Sequence, residues 1–107
     1  MRVIFATCSA SEADALADRL VEERLVGCVN VLPGVRSIYR WQGEICRDEE
    51  VVLLMETSDA RVDAATERLR ELHGYEVPKI IVIDPERCDD AYAAWLTEMT
   101  EPSADPA

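Results

Sequence analysis

The sequence predicts an α+β domain with the element order β-α-β-β-α-β, and three observations carry that reading. Two runs rich in β-branched residues, 2–8 and 80–83, lie near the two ends of the chain. Two stripes of apolar residues at helical spacing stand between the extended segments. Two long extended segments meet at Gln42-Gly43, a pair suited to the tight two-residue turn of a hairpin because Gly accepts a positive φ.

Residues 2–8 read as a buried first strand. Ser9-Ala10-Ser11-Glu12 has the form of a capping box, with Ser9 as N-cap and Glu12 reaching back. Ala13, Leu16, Ala17, Leu20 and Val21 then form the apolar side of a first helix, Asp14, Asp18, Arg19, Glu22 and Glu23 its wet side, and Gly27 is expected to end it. Cys28 opens a second strand that Pro33-Gly34 interrupts, as a bulge or an edge strand tolerates. It resumes from Val35 to Trp41, and the return strand covers 44–57. Thr57-Ser58-Asp59 offers caps for a second helix striped by Val62, Ala65, Leu69 and Leu72, with Gly74 expected as the left-handed residue that closes it. Residues 79–83 make the fourth strand. A short helix from about Asp90 presents Tyr92, Trp95, Leu96 and Met99 on one side, and 101–107 should fray.

This order is the split βαβ arrangement of ferredoxin-like folds: a four-stranded antiparallel sheet with two helices on one face, followed here by a short C-terminal helix. Residues 1–100 are expected to form one domain and 101–107 a tail. An antiparallel sheet with one wet face should alternate apolar and polar residues. Residues 51–55 (VVLLM) and 80–83 (IIVI) do not alternate, although two helices cover only one face. The second face therefore calls for a partner, and a closed homo-oligomer is expected. The monomeric alternative requires the C-terminal helix to fold across that face.

The chain has 107 residues, with 22 Asp and Glu against 11 Lys and Arg. The resulting net charge of −11 repels phosphate backbones and anionic lipid, so nucleic acid and membrane partners are not expected. The carboxylates read as solubilising charge and do not by themselves make a metal protein. No apolar run approaches the roughly 20 residues of a membrane helix, and the first residues lack the pattern of a secretory signal. Cys8, Cys28, Cys46 and Cys88 are widely spaced with no C-x-x-C, which fits reduced thiols and a cytoplasmic location.

Several stretches together resemble the CutA family of divalent-cation tolerance proteins: residues 20–30 (LVEERLVGCVN), 33–45 (PGVRSIYRWQGEI), 49–51 (EEV), 71–78 (ELHGYEVP) and 91–96 (AYAAWL). The resemblance implies a ferredoxin-like fold assembled as a homotrimer, with long hairpin strands pairing between subunits. It also implies binding of copper or another divalent metal and a role in metal tolerance. Where copper ligands have been proposed in the family, a cysteine precedes the threonine of strand one and histidine stands singly or paired ahead of a Pro-Tyr motif. This chain departs at those places: Ala6 precedes Thr7, Leu72 stands where the first histidine of a pair would be, and Gly74 replaces the proline. His73 alone carries over.

The candidate metal ligands are therefore Cys8, two residues along the strand from Ala6 and so on the same face, and His73. Each has a structural alternative: Cys8 as a small buried hydrophobe, His73 as a group binding the last carbonyls of helix two. Cys28, Tyr39, Trp41, Tyr75 and Glu76 are candidates for a ligand or interface cleft, since large rings with a polar edge suit an interface that stays partly wet. No nucleophile with its base, catalytic carboxylate pair or open metal site is legible, so an enzyme is not expected. Acylphosphatases share the split βαβ order, but their phosphate loop has no counterpart at residues 8–11. The competing class is a PII-like signalling trimer that binds a small ligand between subunits. It lacks support here in that the turn at Gln42-Gly43 leaves no long exposed loop.

Overall fold

The computed structural model describes residues 1–102. Its elements are β1 (Arg2–Cys8), α1 (Ala13–Glu22), β2 (Cys28–Trp41), β3 (Glu44–Thr57), α2 (Val62–Leu72), β4 (Ile80–Ile83) and α3 (Asp90–Met99). The strands form one antiparallel sheet in the order β2-β3-β1-β4, the expected ferredoxin-like arrangement. The tail expected over 101–107 lies, from residue 103 onward, outside the described residues.

Strand alternation sorts the sheet into two faces. On the helix face, Ile4, Ala6 and Cys8 of β1 stand opposite Met55, Leu53 and Val51 of β3. Leu16 and Leu20 of α1 and Ala65 and Leu69 of α2 close over them to make the core. Glu23, at the end of α1, ties the two helices together by accepting from Arg68 at 2.9 and 3.2 Å, and those bonds hold its carboxyl below the usual range.

The second face carries Phe5 and Thr7 of β1, Glu50, Val52 and Leu54 of β3, Leu32 of β2 and Ile81 and Ile83 of β4. α3 does not cover it. That helix sits at one end of the sheet, where Leu96 packs against Gly27 and Tyr92 donates to the Glu56 carboxylate at 2.7 Å. Leu32, Ile81 and Ile83 remain 45, 47 and 44% exposed.

β2 and β3 continue past the body of the sheet as an arm. Its turn residues have φ of 49° at Gln42 and 81° at Gly43, two positive values in succession as a primed hairpin turn requires. Pro33-Gly34 is a bulge: the register shifts between Leu32 and Val35, and Gly34 has φ 76°.

Four expected caps and stops are corrected by tertiary contacts. α1 begins without a side-chain cap, because the Ser9 hydroxyl pairs with that of Ser11 at 3.1 Å and Glu12 turns toward His73. It ends before Gly27, through a left-handed Arg24 (φ 57°) that delivers Leu25 and Val26 into the core. α2 also lacks a side-chain cap. Thr57 instead donates to the Leu25 carbonyl at 2.6 Å, Ser58 accepts from Thr100 at 2.8 Å, and Asp59 pairs with the N-terminal ammonium at 3.0 Å. Finally, α2 closes through an extended His73 (φ −70°, ψ 137°) and not through a left-handed Gly74.

Candidate functional site

The arm and the loop 73–79 rise on either side of the second sheet face and enclose a groove of about 660 Å³. Its floor is Phe5, Thr7 and Val52, one wall is Val35, Tyr39 and Trp41 with Asp48 and Glu50, and the other is Tyr75, Glu76, Val77 and Lys79. Period-two alternation brings the arm residues together: Ser37 pairs with Asp48, Tyr39 with Cys46 and Trp41 with Glu44, all on the same face as Glu50 and Val52.

The groove is apolar at its base and carries ordered polar groups on its walls. Tyr39 donates to Asp48, and that bond, with the carboxylate charge, pushes the Tyr39 hydroxyl up to about 12. Tyr75 donates to Glu50 at 2.8 Å, and burial followed by this bond raises its hydroxyl well above the usual range. The Lys79 ammonium lies 5.8 Å from the centre of the Phe5 ring. Anionic, cationic and aromatic groups thus meet in one concavity, the composition of a site that holds a polar small molecule or the edge of another chain.

Of the residues singled out for a cleft, Tyr39, Trp41, Tyr75 and Glu76 meet in this groove. Cys28 does not. It lies at the α3 end of the sheet beside Glu56 and Tyr92, where burial and the Glu56 charge raise its thiol. Sequence reasoning missed Phe5, Asp48, Glu50 and Lys79. The signal for Asp48 and Glu50 was present: once Gln42-Gly43 is taken as the turn, counting back along both strands puts them on the Tyr39 face.

The two candidate metal ligands sit behind the groove in the core. Cys8 is buried on the helix face, and burial, then the charges of Glu12 and Glu50, push its thiol up to about 11. His73 Nε2 is 2.7 Å from the Thr7 carbonyl, while Nδ1 accepts from the Tyr75 N–H at 3.1 Å. Glu12 Oε1 lies 3.5 Å from Nδ1 and is a buried oxygen with no donor. Among the described residues no three His, Cys, Asp or Glu side chains converge as a metal-holding group.

A profile described as CutA1 divalent ion tolerance protein matches residues 2–99. The chain belongs to the CutA family. It is 42% identical over 98 residues to the divalent-cation tolerance protein CutA of Thermus thermophilus, covering 92% of this chain and 95% of that protein. It is 37% identical over 102 residues to human Protein CutA, covering 94% of this chain but 57% of the human protein. Among solved structures, the PII-like protein CutA from Nostoc in its apo form superposes with a TM-score of 0.91 at 33% identity, covering 96% of this chain and 100% of that one. This CutA chain therefore keeps the family's fold along nearly all its described length, so its departures at Ala6, Leu72 and Gly74 are local.

Proposed function

We propose that this CutA protein is a cytosolic homotrimer of single-domain chains (residues 1–100), and that it serves divalent-cation tolerance through its groove, completed by a neighbouring chain and working as a binding surface. The observation that carries this reading is the exposed apolar margin of the second sheet face, where Leu32, Ile81 and Ile83, 44 to 47% exposed, continue the floor of the groove out to the sheet edges. A contiguous apolar face of this kind marks an obligate interface. Three copies are what resemblance to the family implies. A cytosolic location agrees with four cysteines that form no disulfide. A binding role agrees with the raised Cys8 thiol, because a nucleophilic cysteine needs its thiolate.

Copper, the metal that the resemblance implies, does not fit Cys8 and His73 as they stand. Both imidazole nitrogens are engaged within the chain, and among the described residues no three His, Cys, Asp or Glu side chains converge around them.

A second reading, a PII-like trimer holding a small polar ligand, is favoured by the groove walls, where Tyr39, Trp41 and Tyr75 stand with Glu76 and Lys79. In either reading, light scattering across a dilution series should return the mass of three 12.0 kDa chains, and a 12.0 kDa species throughout would overturn the assembly. A strain lacking the gene should grow poorly under divalent-cation challenge. Wild type and Cys8→Ser should restore growth and Trp41→Ala should not; full restoration by Trp41→Ala removes the groove from the function.

A further inference from the structure

The His73 side chain is completely shielded from solvent. A carbonyl oxygen only accepts, so the 2.7 Å contact with Thr7 requires that Nε2 carry the proton. In the neutral ring the lone pair then belongs to Nδ1, and it already accepts the Tyr75 N–H. The ring also packs against Tyr75 with centroids 4.6 Å apart. Both nitrogens and one flank of the imidazole are therefore committed to two backbone groups and one ring of the same chain.

Those contacts have a direction. Thr7 belongs to β1, and His73 is the first residue after α2, so the Nε2 bond fixes the end of the helix against the sheet. The Nδ1 bond reaches two residues onward and sets the backbone of Tyr75. From there the tyrosine hydroxyl crosses to Glu50 on β3. A single imidazole thus determines where one wall of the groove stands relative to the other.

A metal ion has no way into this arrangement that keeps it. Ligation at Nδ1 takes the lone pair from the Tyr75 N–H, and ligation at Nε2 takes the proton from the Thr7 bond. Metal-bound histidines normally use one nitrogen for the metal and the other for a supporting hydrogen bond, whereas here both are hydrogen-bonded.

We infer that His73 is a positioning residue of the groove, holding Tyr75 and through it Glu50 in place, and that it is not a metal ligand in this protein. The inference rests on the groove being the working surface and departs from the histidine ligation that the family resemblance implies.

The test uses the whole protein, with its histidine and tyrosine side chains isotopically labelled. Nitrogen spectra of wild type should show the Nε2–H tautomer of His73, and its two ring resonances should stay in place as Zn(II), or Cu(I) under reducing conditions, is added to several equivalents. Displacement of either resonance in proportion to metal overturns the inference. The positioning role is read separately at the Tyr75 ring signal, which reports its bond to Glu50. His73→Gln keeps one donor and one acceptor and, beyond the shift that loss of the neighbouring imidazole ring itself causes, should keep that signal distinct from a solvent-exposed tyrosine, while His73→Ala should move it to the solvent-exposed position. An unmoved Tyr75 signal in folded His73→Ala refutes the positioning role, and if that variant does not fold, loss of the signal in folded His73→Gln refutes it instead. Light scattering on the same samples decides the assembly independently, because the His73 spectrum is read in either state.

Discussion

The carboxylate of Glu12 occupies the space where a side chain on Gly74 would begin: a Cβ placed there would lie 2.6 Å from Glu12 Oε2. Gly74 has no positive φ, so its missing side chain serves this approach and not a left-handed turn. The contact brings Glu12 Oε1 to a buried position 3.5 Å from His73 Nδ1 without a donor. A buried unpartnered carboxylate oxygen costs on the order of 1–3 kcal/mol. Glu12→Gln should therefore raise the midpoint of thermal unfolding, since the amide removes the charge from an oxygen that no donor reaches. Gly74→Ala should cost less than about 1 kcal/mol, because the obstructing atom ends a flexible side chain that can swing into water. Calorimetry of both variants checks this pair, and a loss of several kcal/mol in Gly74→Ala would show that the Glu12 contact is rigid.

The two sheet faces should respond differently to charge. Leu53 lies in the core beneath the helices, and Leu53→Asp should leave no folded protein, because a charge there has no partner. Ile81 is 47% exposed on the second face, so Ile81→Asp should abolish the oligomer seen by light scattering and, the interface being obligate, lower the fraction of folded protein seen by circular dichroism without removing it as Leu53→Asp does. An intact oligomer in Ile81→Asp would place the interface elsewhere.

The Cys8 thiol should be inert. With the group pushed up to about 11, only about one molecule in a thousand carries the thiolate at pH 8, and alkylation requires the thiolate. Burial raises this group, so the neutral thiol is the stabilised form and stays so until the pH rises through that value. Mass spectrometry after timed iodoacetamide treatment at pH 8 should find Cys8 unmodified while the less buried Cys46 and Cys88 react. Comparable labelling of all three would contradict the burial argument.

The hairpin turn is sensitive to backbone conformation and not to space. A Cβ on Gly43 would meet nothing within 4 Å, yet its φ of 81° is strained for a β-branched residue. Gly43→Val should lower stability by roughly 1–3 kcal/mol and reduce the yield of oligomer, while Gly43→Asn should cost markedly less, since asparagine tolerates a positive φ. Equal melting temperatures for the two variants would disprove the backbone explanation.

The amino-acid pattern alone determined the strand and helix order, the Gln42-Gly43 turn, the bulge at Pro33-Gly34 and the apolar second face. Each follows from local stereochemistry or from a short periodicity: Gly at positive φ, alternation along a strand, or apolar spacing along a helix. The same local information gathered Tyr39, Trp41 and Tyr75 as cleft residues, because large rings with polar edges are informative without knowing their neighbours; Glu76 was gathered with them, and so was Cys28, which lies beside Glu56 and Tyr92 instead.

Only the tertiary structure decided how competing local options were resolved. Ser9, Thr57, Ser58 and Asp59 are good helix caps, but each found a different partner, three of them far along the chain. Glu12 was free to reach back to its own helix end, and instead lies against His73 and Gly74 from beyond α2. Cys8 and His73 are candidate ligands by resemblance and residue type, while the packed chain decides their surroundings: it buries the first on the helix face and brings the Thr7 carbonyl and the Tyr75 N–H to the two nitrogens of the second. A side chain with several possible partners is settled by which one the packed chain brings within about 3 Å, and that depends on sequence separations no local pattern encodes.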